Sequence, residues 1–362
     1  MTTVLIMAGG TGGHVFPALA VARLLRERRC EVVWVGTQRG LEARVVPAND
    51  FPIEWLSVTG LRGKGILTWL LAPWRLSVAV RQALGILRRR KPAVVLGVGG
   101  FVTGPGGLGA WLMRLPLLIH EQNAIAGLTN RWLARLAREV LEAFPGSFPA
   151  RVRARCIGNP VRGEIAALPA PEARFAGRSG PIRLLVVGGS LGASRLNTQV
   201  PRALALLPSA ARPNVLHQAG ERGLGEAKRA YTEAGVVARI EPFIDDMASA
   251  YGWADLVVCR AGAITVSELA AAGLGAILVP FPAAVDDHQT HNARFLTEAG
   301  AAVLIADRDL EAQRLCAELT RLTAGRDALL EMARRARSRA LPNAADELTR
   351  AVLRAAGAGS SS

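Results

Sequence analysis

Gly9-Gly10-Thr11-Gly12-Gly13 lies between an apolar run and a helical pattern, and His14 follows it directly. Glycines let a backbone turn sharply and approach a ligand, and a helix N-terminus offers unpaired N–H groups to phosphate. Four glycines in five residues exceed what a tight turn needs. The dinucleotide fingerprint is not met: Val15 stands where its third glycine belongs, and the next strand ends Val35-Gly36-Thr37 without a ribose-binding carboxylate. A nicotinamide enzyme is therefore disfavoured. At the start of a helix, the dipole disfavours protonation of His14 and leaves an imidazole able to accept a proton. Position alone fits equally well a ring packed against its own turn.

Further polar groups stand at the ends of apolar runs. A second Gly-rich loop, GVGGFVTGPGG, covers 97–107, and His120-Glu121-Gln122-Asn123 ends the next run. The carboxyl edge of an open α/β sheet is where ligands bind, so polar clusters there are candidates for binding or catalysis. In the second half Ser190 occupies a Gly-rich turn, and Arg260 to Glu268 follows the run 255–259. A carboxylate at Glu268 could take the hydroxyls of a ribose, although a glutamate favoured by the helix dipole would look the same. Asp286-Asp287-His288-Gln289 forms a third cluster, but adjacent side chains seldom converge on one ion, so no metal site is expected.

These residues must be positioned by short buried strands alternating with helices. Runs at 4–7, 31–35, 94–98, 116–120, 183–187, 255–259 and 276–280 read as parallel strands, and 17–28, 129–137 and 343–356 as helices. The segments 4–25 and 184–207 repeat one pattern of strand, GG-[TS]-x-G turn and helix, with Gly9 and Gly188 179 residues apart. Two Rossmann-like domains follow, 1–157 and 158–342, with 343–356 a closing helix able to pack back on the first. The stretches 148–160 and 168–181 read as linkers.

At 362 residues with 50% apolar and 20% charged composition, disorder is excluded. The net charge of +15 favours an anionic partner, though 41 of 44 cations are Arg, a skew codon composition alone can give. A nucleic-acid binder would interleave its cations with aromatics, and the runs 88–91 and 334–339 do not. The four scattered cysteines read as buried thiols in a reducing compartment. Without a signal peptide or a spanning segment, the chain is expected in the cytosol.

Seven ordered pieces together resemble the MurG family of bacterial glycosyltransferases: GGTGGHVFPALA (9–20), GGFVTGPGGL (99–108), HEQNAIAGLTN (120–130), GNPVR (158–162), GGSLGASRLN (188–197), CRAGAITVSELAAAGL (259–274) and DDHQTHNA (286–293). The resemblance implies an α/β GT-B fold, two Rossmann-like domains facing across a cleft. It implies inverting transfer of N-acetylglucosamine from its UDP donor to the 4-hydroxyl of lipid I (undecaprenyl-diphospho-muramoylpentapeptide), giving lipid II. His14 becomes the favoured base, with Glu121 the alternative. Thr11, Gly12, Gly13, Asn123, Arg162, Ser190, Ile244, Ala263, Ile264, Thr265, Val266, Ser267, Glu268 and Gln289 would hold UDP-N-acetylglucosamine. Gly10, Gly13, Gly99 and Gly100 would meet the acceptor diphosphate. No cofactor is required, with divalent-ion stimulation compatible, and no nucleic-acid partner is implied.

The resemblance also implies docking on the anionic cytoplasmic leaflet as a peripheral protein. Here Trp69, Leu70, Trp74, Val80 and Trp111 would form that patch, Ser77 being a polar departure, while Leu76, Val80, Leu84 and Leu87 read as a core stripe. Leu191 and Phe101 depart from the Gln and Tyr usual in the family, and Arg260 stands where retaining relatives carry Glu. The alternatives are another GT-B UDP-sugar transferase with a different acceptor, or an enzyme like the UDP-N-acetylglucosamine 2-epimerases.

Overall fold

A computed structural model describes residues 1–58, 72–188, 193–282 and 287–358. The chain forms two compact units, Met1–Val161 with Leu341–Ser362, and Arg162–Ala340. The first boundary thus falls between 161 and 162 rather than between 157 and 158.

The first unit is built on seven parallel strands: β1 (Thr3–Ala8), β2 (Glu31–Gly36), β3 (Ile53–Trp55), β4 (Val94–Gly99), β5 (Leu117–Glu121), β6 (Glu139–Glu142) and β7 (Arg155–Cys156). Their order is β3-β2-β1-β4-β5-β6-β7. Continuous apolar runs suit strands buried on both faces. Val4 and Ile6 of β1 and Val94 and Leu96 of β4 enter one core, whereas Leu5, Met7 and Val95 enter the core on the opposite face. The first core is covered by the helix Gly12–Glu27 and by the closing helix Ala344–Ala358, which contributes Leu348, Ala351, Val352 and Ala355. Ion pairs Arg28–Asp346 (2.9 Å) and Arg155–Glu347 (3.1 Å) fasten that helix to the same unit.

The second unit holds six parallel strands: β8 (Arg183–Val187), β9 (Asn214–Gln218), β10 (Arg239–Glu241), β11 (Leu256–Cys259), β12 (Gly275–Leu278) and β13 (Ala302–Leu304), in the order β10-β9-β8-β11-β12-β13. In each sheet the winding reverses once, between β1 and β4 and between β8 and β11. Just beyond the carboxyl ends of strands at such a reversal, helix N-termini and loops diverge and leave room for a ligand. In the first unit the Gly-rich turn lies there; in the second, Gly188 follows β8 and residues 189–192 lie outside the described residues.

Neither expected linker is one. Phe148 is buried and 155–156 forms β7, while Pro171–Phe175 is a short helix whose Arg174 is buried. That guanidinium donates to the carbonyls of Tyr251, Ala272 and Gly273, so a Pro/Arg-rich stretch is tied into the second unit by hydrogen bonds the sequence does not advertise.

Candidate active site

In the first unit the site begins with a register irregularity. Met7 of β1 pairs with Gly97 but Ala8 with Gly99, so β4 carries one extra residue at its carboxyl end. The chain then passes through Gly99 (φ +136°) and Gly100 (φ +90°). A Cβ on Gly100 would lie 2.3 Å from the Gly9 carbonyl oxygen, and one on Gly99 2.6 Å from His14 Nδ1. The two Gly-rich loops therefore touch because Gly9, Gly99 and Gly100 carry no side chain at the contact, and the His14 ring occupies the space a Gly99 side chain would take.

His14 Nδ1 lies 2.7 Å from Gln122 Oε1. The amide of Gln122 donates in turn toward His120 Nδ1 (3.0 Å) and to the His120 carbonyl (2.9 Å), and His120 Nε2 lies 3.0 Å from the Gly158 carbonyl. Burial pulls the His120 imidazole down to about 4, so it is neutral at ordinary pH.

Glu121 belongs to the scaffold, which corrects its place as alternative base. Its buried carboxylate accepts from the Asn123 N–H (2.9 Å), Asn123 Nδ2 (3.2 Å), the Gly127 N–H (3.1 Å) and Asn130 Nδ2 (2.9 Å). Four donors leave no lone pair suited to take a substrate proton. The same bonds aim Asn123.

Glu42, which the sequence reading missed, holds the first loop from beneath. Fully buried, it accepts from the Gly10 N–H (2.9 Å), the Thr37 N–H (2.9 Å) and Thr37 Oγ1 (2.7 Å). The Gly99 N–H is similarly committed to Thr103 Oγ1 (3.2 Å). Gly10 and Gly99 thus give space rather than amides to any diphosphate. Gly12 and Gly13 head the helix Gly12–Glu27, where N–H groups have no intrahelical partner.

In the second unit Glu268 sits in the second turn of the helix Ala263–Ala272, only 6% exposed. Its Oε1 accepts from Arg162 Nε (3.1 Å) and Nη2 (2.9 Å), and its Oε2 from the Tyr251 hydroxyl (3.3 Å). Burial raises the carboxyl above its ordinary range, and the Arg162 guanidinium opposes that shift. Arg162 and Glu268, 106 residues apart in sequence, are thus brought together.

Within 263–268, Ala263 and Ile264 begin the helix, Thr265 is half-buried, and Ser267 Oγ donates to the Ala263 carbonyl (2.9 Å). Val266 is a correction. Its side chain is fully buried and its N–H is bound to the Gly262 carbonyl (2.9 Å), which withdraws it from any ligand. Gln289 Oε1 accepts from the Phe281 N–H (2.8 Å), and Ile244 lines a cavity of about 520 Å³ with Phe243, Asp246, Ser249 and Trp253. Arg260 is a strut, donating to the carbonyls of Val279 and Pro280 (3.2 Å each) and to Asp307 (2.6 Å). Ser190, Leu191 and Asp286 lie outside the described residues. Among the described residues no group of three metal-ligating side chains occurs.

On the first unit's other face, the helix Ala72–Arg90 packs Ala79, Ala83, Ile86 and Leu87 inward. This corrects the expected core stripe: Leu76 is 49% exposed and Val80 and Leu84 are half-buried. Trp74 (65%), Trp111 (48%) and Leu112 (52%) are also exposed, and Trp69 and Leu70 fall outside the described residues. Among the described residues no helix is long and apolar enough to cross a membrane.

Two Rossmann-like units, each with a polar site at its sheet's reversal point, define a two-domain α/β protein of the GT-B class. Residues 4–142 match the glycosyltransferase family 28 N-terminal domain and 183–348 the family's C-terminal domain. The chain is 59% identical over 352 residues (97% of each chain) to the Marinobacter nauticus UDP-N-acetylglucosamine–N-acetylmuramyl-(pentapeptide) pyrophosphoryl-undecaprenol N-acetylglucosamine transferase. It is 61% identical to the Nitrosococcus oceani protein of the same name, across 92% of this chain and 93% of that one. The crystal structure of Acinetobacter baumannii MurG superimposes with a TM-score of 0.87 at 41% identity, covering 98% of this chain and all of the other. The chain belongs to glycosyltransferase family 28, within its MurG branch.

Proposed function

We propose the following division of labour for the transfer of N-acetylglucosamine from UDP-N-acetylglucosamine to lipid I, the reaction of this branch. The second unit binds the donor: Glu268 accepts from the ribose, Arg162 keeps that carboxylate ionised in its buried place, and Gln289 offers its amide to the sugar. The first unit supplies the base. His14 takes the proton from the acceptor's 4-hydroxyl as that oxygen attacks the anomeric carbon; the bond from that carbon to the UDP oxygen breaks, and UDP leaves with the bonding electrons. One displacement inverts the configuration. Helix N-termini stabilise the charge on the leaving diphosphate without requiring a metal.

The observation that supports this reading best is the fixed ring of His14 at the junction of two Gly-rich loops. A different acceptor or an epimerase is not favoured, since relatives matched along nearly their whole length are named for this acceptor. For the leaflet, the support is the exposed set Trp74, Leu76, Trp111 and Leu112 beside exposed arginines 75, 81 and 88. Aromatic and cationic side chains together suit the headgroup region of an anionic membrane. The protein then works as a peripheral enzyme at the cytoplasmic face, with no nucleic-acid partner.

The test is transfer of radiolabelled N-acetylglucosamine to a short-chain lipid I analogue, with product stereochemistry determined. A β-linked disaccharide is expected. Release of a free sugar, or an α-linked product, would sink the reading.

A further inference from the structure

A general base must present a lone pair, and a neutral imidazole has one on only one nitrogen. Which nitrogen carries the proton is set by what the other one meets. Here the answer can be traced from atoms whose role is not adjustable. A backbone carbonyl oxygen only accepts. His120 Nε2, 3.0 Å from the Gly158 carbonyl, therefore carries a proton. His120 is buried and neutral, so its Nδ1 is an acceptor. The Gln122 group facing that nitrogen at 3.0 Å must be the amide NH2. The same NH2 lies 2.9 Å from the His120 carbonyl, a second atom that only accepts. Both amide protons are used, and the amide can be placed only one way round. Its oxygen faces His14 Nδ1 at 2.7 Å, so His14 Nδ1 donates. Among the described residues no group hydrogen-bonds His14 Nε2.

We infer that Gln122 is a positioning residue whose amide, held by the Gly158 and His120 carbonyls through the His120 ring, locks His14 as the Nδ1–H tautomer and leaves the Nε2 lone pair for the acceptor's proton. The inference rests on the reading of His14 as the base, but the tautomer itself can be measured without it. The device is neutral throughout. An amide oxygen, unlike a carboxylate, orients the ring without adding charge beside a site that must receive two diphosphate-bearing substrates.

The experiment is two-bond 15N–1H correlation NMR on histidine-labelled enzyme with neutral imidazoles, the His14 signals identified by their loss in His14→Ala. The wild type should show the Nδ1–H tautomer. Gln122→Met keeps the side-chain volume and removes both the amide donors and the oxygen. It should give a tautomer mixture or the Nε2–H form, and kcat should fall roughly 10–100-fold, a part of what a general base contributes, while KM for UDP-N-acetylglucosamine stays within about 3-fold. A residue with only a scaffold role would leave the tautomer unchanged. The Nε2–H form in the wild type, or a persistent Nδ1–H form in Gln122→Met, overturns the proposal. The wild-type spectrum decides even if the variant folds poorly. An undiminished kcat in His14→Ala would instead remove the base assignment, whatever the spectrum shows.

Discussion

The two units solve opposite electrostatic problems with similar scaffolds. In the first, His14 is held by a chain of neutral groups, Gln122 and His120, ending on a backbone carbonyl. In the second, Glu268 is held by a charged partner, with Arg162 on one carboxylate oxygen and the Tyr251 hydroxyl on the other. A base that must start neutral is best oriented without charge. A buried carboxylate that must accept hydroxyls needs a counter-ion to stay ionised. The same strand-turn-helix frame serves both, and the chemistry lies in what stands next to the functional side chain.

The largest effect should come from the first unit. His14→Ala should lower kcat by ~10²–10⁴ while uridine and UDP affinities, read by calorimetry, hardly change. A parallel loss of nucleotide affinity would erase the contrast between the two sites. In the second unit, Glu268→Ala should weaken UDP by roughly 2–4 kcal/mol through lost charge-assisted bonds to the ribose. The variant should no longer discriminate UDP from 2′-deoxy-UDP. Equal losses for both nucleotides would move the ribose elsewhere.

A surface comparison sharpens the division further. Trp74→Glu with Trp111→Glu should abolish sedimentation with anionic vesicles, yet leave nucleotide affinity and turnover of a short-chain acceptor within about 2-fold, since these side chains are exposed and are not among the residues assigned to either site. Vesicle binding that survives both changes would place the dock elsewhere.

The smallest effect is in pH. Glu268 must be ionised to accept ribose hydroxyls, and burial raises its pKa above the ordinary carboxylate range. Uridine, which does not titrate there, should bind several-fold tighter as pH rises through that raised value, and Glu268→Gln should flatten the profile. Folding carries the opposite sign. A raised folded-state pKa favours the protein at low pH, and that contribution is lost as the group ionises. A flat wild-type profile would mean that Arg162 outweighs burial.

The strands of both central sheets were legible because burial on two faces demands unbroken apolar runs, as in β1, β4, β8 and β11. The first unit's Gly-rich turns were legible because few other residues can make them, and the repeat of that pattern in the sequence pointed to the two-unit organisation. The strand β9 and the short strands β3, β6, β7, β10 and β13 were not, since β9 carries polar Asn214, His217 and Gln218 and runs of two to four residues show no period.

The site divides along the same line. His14 and Glu268 could be named from residue type and place at a strand's carboxyl end. Tertiary structure alone decided that Glu42 takes the Gly10 amide, that Glu121 is spent on its own loop, that Val266 faces inward, and that Arg162 reaches Glu268. It alone ordered His120 and Gln122 into a chain that sets a proton on one nitrogen of His14. Sequence fixes which groups can donate or accept; which of them meet depends on distances that close only when strands far apart in the chain lie side by side.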